Sequence, residues 1–178
     1  VMAASVPQAF GSGPLWFAIP YIVIRLLGMG LQVRIDQEKA DGGPGIREIL
    51  QFLKASDRPA EDQRLFIKAQ IVFWLLGATD GHAKNFSIFL YPGGGFRLTP
   101  LYDVMSAWPL IGEGPGLLSE HKIRMAMAIR STNAHWKMRE IHRRHWIALG
   151  KRFGVLDEDG REMEAILDAV IARTPRVI

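Results

Sequence analysis

Residues 79–103 read TDGHAKNFSIFLYPGGGFRLTPLYD and hold two strand-like runs joined by the connection PGGG. The first run, Phe86 to Tyr91, is rich in aromatic and β-branched residues, and the second, Phe96 to Thr99, is shorter. A glycine-rich connection of this length between two such runs predicts a β-hairpin. The hairpin would bring Asn85 beside the residues that lead to Asp103, eighteen positions further along the chain.

Carboxylate and amide side chains lie at both ends of this predicted hairpin. Oxygen ligands of this kind suit a hard cation such as Mg²⁺, which keeps several waters and binds one or two carboxylates together with substrate phosphates. Asp80 and Asn85 are separated by four residues, as in the D-x-x-x-x-N catalytic loop of protein kinases. In those enzymes the Asp accepts the hydroxyl proton, the Asn binds one Mg²⁺, and a later Asp binds the other. Asp103 stands at the place expected for this later Asp.

An ordinary structural explanation of the same residues stays open at this point. Asp-Gly and Asp-Val pairs are common in turns, and D-x-x-x-x-N spacing often occurs by chance. The complete order of Asp, Asn, hairpin and Asp is less common than any of its parts. The spacing therefore favours kinase-like chemistry without deciding it.

The residues around this spacing carry a resemblance to a known family. GATDGHAKNFS at residues 77–87 and FRLTPLYDVMSAWP at residues 96–109 closely resemble the C-terminal lobe of HipA-type kinases. These are serine/threonine toxin kinases of bacterial toxin–antitoxin modules. DGGPGI at residues 41–46 and KAQIVFWLL at residues 68–76 are similar to the same family. The resemblance runs from about Asp41 to the C terminus.

The resemblance implies a mainly α-helical α+β fold, that of a protein-kinase-like C-lobe of the HipA type with one small β-hairpin. It implies transfer of the γ-phosphoryl group of ATP to a protein serine or threonine, in the best-known case on glutamate-tRNA ligase. Asp80 would be the catalytic base, and Asn85 and Asp103 would bind Mg²⁺. The residues implied at the nucleotide site are His82, Ala83, Lys84, Asn85, Tyr102 and Asp103.

The sequence shows no counterpart of the family's N-terminal lobe, which covers the phosphates and grips the adenine. We therefore expect this chain alone to be a weak or inactive kinase. We divide it into residues 1–36, an apolar segment that does not match the family, and residues 37–178, the HipA-like domain. Pro20 and Arg25 break the apolar run into pieces too short for a membrane helix of roughly 20 residues. We expect a buried or poorly ordered segment rather than a membrane anchor, and a cytoplasmic protein.

Composition is ordinary for a globular domain. The chain has 178 residues, of which 48% are hydrophobic and 22% charged, and this balance argues against disorder. It has no cysteine, which excludes disulfides and cysteine-zinc sites. The net charge of +4 is by itself weak evidence for a polyanionic partner.

The positive charge is concentrated between Glu120 and Arg152, which contains nine lysines and arginines, two acids and four of the five histidines. We expect a helix here with one apolar and one basic face, and a solvated face is the commonest explanation of such a run. HipA-type kinases act with HipB, a DNA-binding antitoxin, and the resemblance implies that Lys151 and Arg152 lie near operator DNA. His142 and His145 lack a third ligand at suitable spacing, so a zinc site is disfavoured. A non-catalytic module that binds antitoxin or DNA through this segment is the alternative function.

The other predicted elements are helices. Apolar residues recur at helical spacing in residues 46–53. A second helix begins near Glu61, with Ser56 or Asp57 as its N-cap, and its apolar stretch at residues 69–76 predicts a buried central helix. Residues 110–119 would correspond to an activation loop. The last helix carries the stripe Met163, Ile166, Leu167, Val170 and Ile171, with Asp159 as its cap and Thr174-Pro175 at its end.

Overall fold

The computed structural model of the protein describes residues 44–130 and 132–173 completely and residues 22–27 and 30–35 by their backbone. Within these ranges it contains four α-helices and six strands. The helices are α1 (Ile46–Leu53), α2 (Pro59–Leu75), α3 (Arg143–Phe153) and α4 (Met163–Arg173). The strands are β1 (Ile22–Leu27), β2 (Gly30–Ile35), β3 (Ser87–Leu90), β4 (Phe96–Leu98), β5 (Arg124–Arg130) and β6 (Ala134–Lys137).

The predicted hairpin is present as β3 and β4. The two strands are antiparallel, with Ile88 opposite Leu98 and Leu90 opposite Phe96. They belong to a four-stranded antiparallel sheet of order β1-β2-β3-β4. The strands β1 and β2 were not predicted, and the backbone of β2 pairs with β3 from Leu31 to Arg34. The predicted burial of residues 1–36 concerns side chains outside those that the structure describes, and the boundary at residue 36 stays a prediction.

Helix α2 runs through the centre of the domain, as predicted. Phe66, Ile67, Ile71 and Phe73 are at most 1% exposed, whereas Trp74 and Leu75 are half-buried. The predicted cap by Ser56 or Asp57 is wrong, because the N-cap is Arg58, without a side-chain cap, and Pro59 begins the helix. The backbone N–H of Asp57 instead donates to the carbonyl of Phe96 in β4.

The basic segment is not one helix. Its first half forms the two-stranded sheet β5-β6, and only α3 at its end is helical. Strand β5 begins with alternating exposed and buried residues, Arg124, Met125, Ala126 and Met127, which is the period of a strand. The prediction of one helix is wrong because this strand period covers only four residues, among charges that occur throughout the segment.

The two helices that were predicted from apolar stripes are present as α1 and α4. In α1, Ile46, Ile49, Leu50 and Leu53 are all buried. In α4, Met163, Ile166 and Leu167 are buried, but Ile171 is exposed. Asp159 does not cap α4, because the helix begins four residues later and Asp159 lies in a turn built around the Asp157 carboxylate. The predicted end at residues 174–175 lies outside the described residues.

One apolar core joins the helices to the hairpin and to β5. It includes Leu50 of α1, Phe66 of α2, Phe86 before β3, Ile129 of β5 and Trp146 of α3. The described residues therefore form the predicted α+β fold, with two antiparallel sheets where one hairpin was expected. No helix in the described part of the chain combines the length and apolar character needed to cross a membrane.

Candidate functional site

The site begins where α2 ends. Gly77 has φ +63°, a left-handed conformation that costs glycine little. The N–H of Gly77 donates to the carbonyl of Trp74, and the N–H of Ala78 donates to the carbonyl of Phe73. These two bonds form a Schellman motif, which ends the helix and redirects the chain. The segment that carries Asp80 therefore leaves a rigid, buried helix.

Gly81 follows Asp80 at a close approach between the backbone and the core. A Cβ atom on Gly81 would lie 2.4 Å from the ring of Phe73, so no larger residue fits without displacement. The N–H of His82 donates to the carbonyl of Asp80 at 2.8 Å, which makes the turn tight. The Asp-Gly pair is thus more than a common turn dipeptide, because glycine allows the backbone next to Asp80 to lie directly against Phe73 of α2.

A single turn of 3-10 helix, Ala83–Asn85, brings Asn85 to the start of β3. Ala83 is fully buried in this turn. Lys84 is half-buried in the same turn. Asn85 is 3% exposed, and its Nδ2 lies 3.5 Å from the backbone carbonyl of Asp103. The hairpin therefore brings Asn85 and Asp103 together, as the sequence predicted.

Tyr102, which follows the hairpin, forms hydrogen bonds with Lys84 and Ser87, which lie at its start. Its hydroxyl group donates to the carbonyl of Lys84 at 3.1 Å and lies 2.6 Å from Oγ of Ser87. Because the O–H group of Tyr102 donates to the Lys84 carbonyl, the hydroxyl group of Ser87 is the donor in the bond between Ser87 and Tyr102. Ser87 was not predicted as a site residue, and no sequence signal marked it.

Asp103 adopts an unusual backbone conformation. Its φ is +58°, and it is the one non-glycine residue with positive φ in the described ranges. Aspartate tolerates this left-handed region better than most residues, but the conformation still costs free energy. Such strain persists where surrounding contacts hold it, and it is concentrated at functional sites. The Asp103 side chain is exposed at this point.

Asp80, the predicted catalytic base, has an exposed side chain. Its side chain is 69% exposed, and its Oδ1 lies 3.4 Å from Nε2 of His82. The His82 side chain is 19% exposed, and its Nδ1 is buried without a hydrogen-bond partner in the described structure. These two side chains meet across the tight turn at Gly81.

The donor set at the hairpin fits Mg²⁺ better than a fully protein-bound metal. No group of three or more His, Cys, Asp or Glu residues that could hold a metal occurs among the described residues. Mg²⁺ does not require one, because it binds one or two carboxylates and completes its shell with water and phosphate. The Asp103 carboxylate and the amide oxygen of Asn85 are donors of this kind, and the Nδ2 contact turns Oδ1 of Asn85 away from the Asp103 carbonyl.

An ion pair that the sequence did not reveal anchors the hairpin to α2. Nε of Arg97 donates to both carboxylate oxygens of Asp62, which is 1% exposed, and the N–H of Leu98 donates to the same carboxylate. Burial by itself would lower the pKa of Arg97. The nearby carboxylates of Asp62 and Glu61 have a larger opposite effect, so the pKa of Arg97 is raised. The two partners are 35 residues apart, and no local pattern indicates their contact.

The segment after Asp103 closes over the end of α2. Oγ of Ser106 and the N–H of Ala107 donate to the carbonyl of Leu76, and Nε1 of Trp108 donates to the carbonyl of Leu75 at 2.7 Å. These carbonyls belong to the last turn of the helix, where intrahelical partners are missing. The residues just before the predicted activation loop, residues 110–119, are thus fixed to the central helix. Large apolar side chains are exposed both in these residues and in the predicted loop: Met105, Trp108, Leu110, Leu117 and Leu118.

Lys151 and Arg152 lie in the last turn of α3 and are both exposed. Nζ of Lys151 is 3.4 Å from a carboxylate oxygen of Glu162. A second basic surface lies on β5 and β6, where the guanidinium of Arg130 lies 5.9 Å from the ring centre of the exposed Trp136. Sequence reasoning did not single out this pair, because its contact depends on strand pairing.

Together these features define a kinase-like C-terminal lobe, in which a buried helix presents a D-x-x-x-x-N segment and a hairpin returns a second aspartate to it. Comparison with known protein families supports this description. The family described as the HipA-like C-terminal domain matches residues 27–178, and this chain belongs to that family. The resemblance seen in the sequence is therefore confirmed, and the matched region begins ten residues before the predicted boundary at residue 37.

Two further comparisons are consistent with this assignment. A curated relative from Sinorhizobium fredii, named "Putative kinase Y4mE", is 40% identical over 68 residues, which are 38% of this chain and 16% of the relative. The solved structure of Shewanella oneidensis MR-1 HipA with HipB and operator DNA matches 75% of this chain and 28% of that chain. Its TM-score is 0.59 and its sequence identity 20%, which shows a shared fold. At family level the chain is thus kinase-related, and it spans under a third of these proteins.

Proposed function

We propose that this domain supplies the proton-accepting and metal-binding half of a protein serine/threonine kinase of the HipA type. The observation that carries the proposal is the approach of Asn85 to Asp103 at the base of the hairpin, where Nδ2 of Asn85 lies 3.5 Å from the backbone carbonyl of Asp103. Asp80 precedes Asn85 by five residues, at the start of the same segment. This is the order of groups that phosphoryl transfer uses.

In the proposed reaction, Asp80 orients the acceptor hydroxyl and receives its proton. Asn85 and Asp103 would hold Mg²⁺, which neutralises charge on the ATP phosphates when bound. The exposure of Asp80 and Asp103 suits both roles, because a substrate must reach these carboxylates from outside. His82 lies beside Asp80, and the Tyr102 hydroxyl group holds the Lys84 carbonyl in place.

Catalysis of this kind depends mostly on positioning and on charge neutralisation. In this proposal Asp80 is the base and Asn85 and Asp103 are the metal donors, and a loop that covers the phosphates is not among the described residues. We therefore expect slow transfer by this chain alone. A HipB-like antitoxin is the proposed partner, and operator DNA would be contacted near Lys151 and Arg152. Glutamate-tRNA ligase is the first protein substrate to test, and we retain the proposal of a cytoplasmic protein.

The direct test is transfer of label from γ-³²P-ATP to protein in long incubations with Mg²⁺. We expect slow labelling by the wild-type chain and none by Asp80→Asn, which removes the base while preserving shape. Asp159→Asn, which removes a carboxylate from an exposed turn before α4, is the matched control and should label like wild type. Labelling that survives in Asp80→Asn would contradict the assigned role of Asp80.

The second candidate function is a binding module without catalysis. Lys122, Arg124 and Arg130 are exposed and have no carboxylate within 4.0 Å in the described part of the chain. The exposed ring of Trp136 lies beside Arg130, and such pairs contact nucleic acids through phosphate and base stacking. If wild-type chain gives no labelling, this candidate is favoured. It predicts binding to DNA that weakens steeply with salt and survives in Asp103→Asn.

A further inference from the structure

His82 has two ring nitrogens in different surroundings. Nε2 lies 3.4 Å from Oδ1 of Asp80, on the exposed side of the ring. Nδ1 is buried and has no hydrogen-bond partner in the described structure. The two nitrogens of a neutral imidazole differ in role, since one carries the proton and the other accepts. The surroundings therefore determine which nitrogen is protonated.

Nδ1 has no partner in either tautomer, so the choice of tautomer depends on the surroundings of Nε2. A proton on Nδ1 would leave the lone pair of Nε2 facing the Asp80 carboxylate, which is unfavourable. A proton on Nε2 instead points toward this carboxylate, an acceptor that carries negative charge. The geometry thus favours the tautomer protonated at Nε2. The distance of 3.4 Å is long for a hydrogen bond, but catalytic contacts are often long before substrate binds.

The backbone keeps the two side chains together. The N–H of His82 donates to the carbonyl of Asp80, and Gly81 between them packs against the ring of Phe73. Asp80 itself is 69% exposed, so that its carboxylate would rotate freely without a partner. In the inferred contact, rotation of this exposed side chain would shorten the 3.4 Å separation of Oδ1 and Nε2.

We propose that His82 is a positioning residue, which uses its Nε2–H group to hold the Asp80 carboxylate in the orientation needed to receive a hydroxyl proton. The inference rests on the proposed function of Asp80. It differs from the role implied by the family resemblance, in which His82 contacts the nucleotide. A positioning residue affects the rate of transfer, whereas a nucleotide ligand affects the affinity for ATP.

Two substitutions separate these roles. The amide nitrogen of Gln in His82→Gln reaches the place of Nε2, so it keeps the donor to Asp80. The shorter amide in His82→Asn reaches only the place of Nδ1 and loses it. If His82 is a positioning residue, His82→Asn slows transfer by roughly tenfold or more. His82→Gln should restore most of the rate, and both variants should bind Mg²⁺-ATP as wild type does.

The tautomer gives a readout that does not require activity. In the ¹⁵N-histidine-labelled chain, a long-range ¹H–¹⁵N spectrum distinguishes a protonated from an unprotonated ring nitrogen, and His82→Gln assigns the His82 signals. We expect Nε2 protonated and Nδ1 unprotonated at pH 7.5, with faster exchange of the Nε2 proton in Asp80→Ala. A ring protonated at Nδ1, or exchange unaffected by Asp80→Ala, would overturn the inference.

The two measurements also separate this inference from the proposed function. Absence of transfer in wild type would contradict the proposed function, while the spectrum would still decide the pairing of His82 with Asp80. Weaker ATP binding in His82→Asn at an unchanged transfer rate would make His82 a nucleotide ligand and overturn the positioning role.

Discussion

Asp62 and Arg97 form an ion pair that joins the first turn of α2 to the second strand of the hairpin, with Nε of Arg97 3.1 Å and 3.2 Å from the two carboxylate oxygens. The carboxylate also accepts the N–H of Leu98, so that one buried side chain fixes both the backbone and the side chain of β4. Because β4 leads directly to Tyr102 and Asp103, this pair sets the position of the site relative to the central helix.

Loss of the Asp62 carboxylate should destabilise the domain. Asp62→Ala leaves Arg97 and the Leu98 N–H without their acceptor, and breaking a buried pair in this way costs about 3 kcal/mol. The free energy of unfolding in urea measures the effect. Glu61→Ala removes the exposed partner of the same arginine and should have a much smaller effect. Equal losses in the two variants would contradict the anchoring role of Asp62.

Position 103 should reverse the usual order of alanine and glycine. At most sites glycine is less stable than alanine, but a left-handed φ favours glycine by about 1 kcal/mol. We therefore expect Asp103→Gly to unfold at higher urea than Asp103→Ala. Ala126→Gly in β5, where φ is not positive, should instead lose stability. If alanine at position 103 is the more stable, the backbone there is not strained.

The hydroxyl group of Tyr102 should stabilise both the fold and the site. Tyr102→Phe removes the donor to Lys84 and leaves the buried hydroxyl of Ser87 without its acceptor, a loss of about 1–2 kcal/mol. Thermal or urea unfolding measures it, and Mg²⁺-ATP binding should weaken as well. Tyr91→Phe, at an exposed tyrosine of the hairpin, is the control and should change neither.

Stability should fall in mild acid because of His145. Burial, followed by the nearby His135, Arg144 and His142, lowers the pKa of His145. Its neutral Nδ1 accepts the N–H of His142 at the start of α3, and its ring stacks on His135. The neutral form therefore stabilises the native state above the unfolded pKa of about 6.5, and this contribution is lost as pH falls through the lower folded pKa.

Substitution by glutamine isolates this effect. Gln at the third helical position can still accept the N-cap N–H, but it does not titrate. Urea unfolding between pH 7.5 and 5 should show a smaller loss of stability in His145→Gln than in wild type. His121→Gln, at an exposed histidine beside Arg139, should keep the wild-type pH dependence. An unchanged pH dependence in His145→Gln would contradict the assignment.

Local patterns in the sequence predicted much of this domain. The hairpin followed from strand-like runs around a glycine-rich turn, and α1 and α4 followed from apolar residues at helical spacing. The approach of Asn85 to Asp103 followed from the hairpin, because a hairpin fixes which residues meet at its base. The family assignment came from the residues around the same turn.

Most of the features that were predicted wrongly or missed depend on contacts between residues that are far apart in the sequence. Asp57 does not cap α2, because its N–H is bonded to Phe96 and its carboxylate lies beside Gly95. The pairing of β5 with β6 is irregular between Arg124 and Ile129, and its alternation is too short to stand out among the charges. The Asp62–Arg97 pair and the buried Nδ1 of His82 exist only in the folded chain, so that no local pattern reveals them.

Magnesium-dependent ATP binding, measured by isothermal titration calorimetry, tests the proposed site most directly. We predict weak binding by the folded wild-type chain that requires Mg²⁺ and is lost in Asp103→Asn, in which asparagine keeps the left-handed backbone but not the charge. Asp159→Asn, in the exposed turn before α4, should bind like wild type. A folded wild-type chain that does not bind Mg²⁺-ATP, or an Asp103→Asn variant that binds it equally well, would contradict the assignment of the hairpin as the metal and nucleotide site.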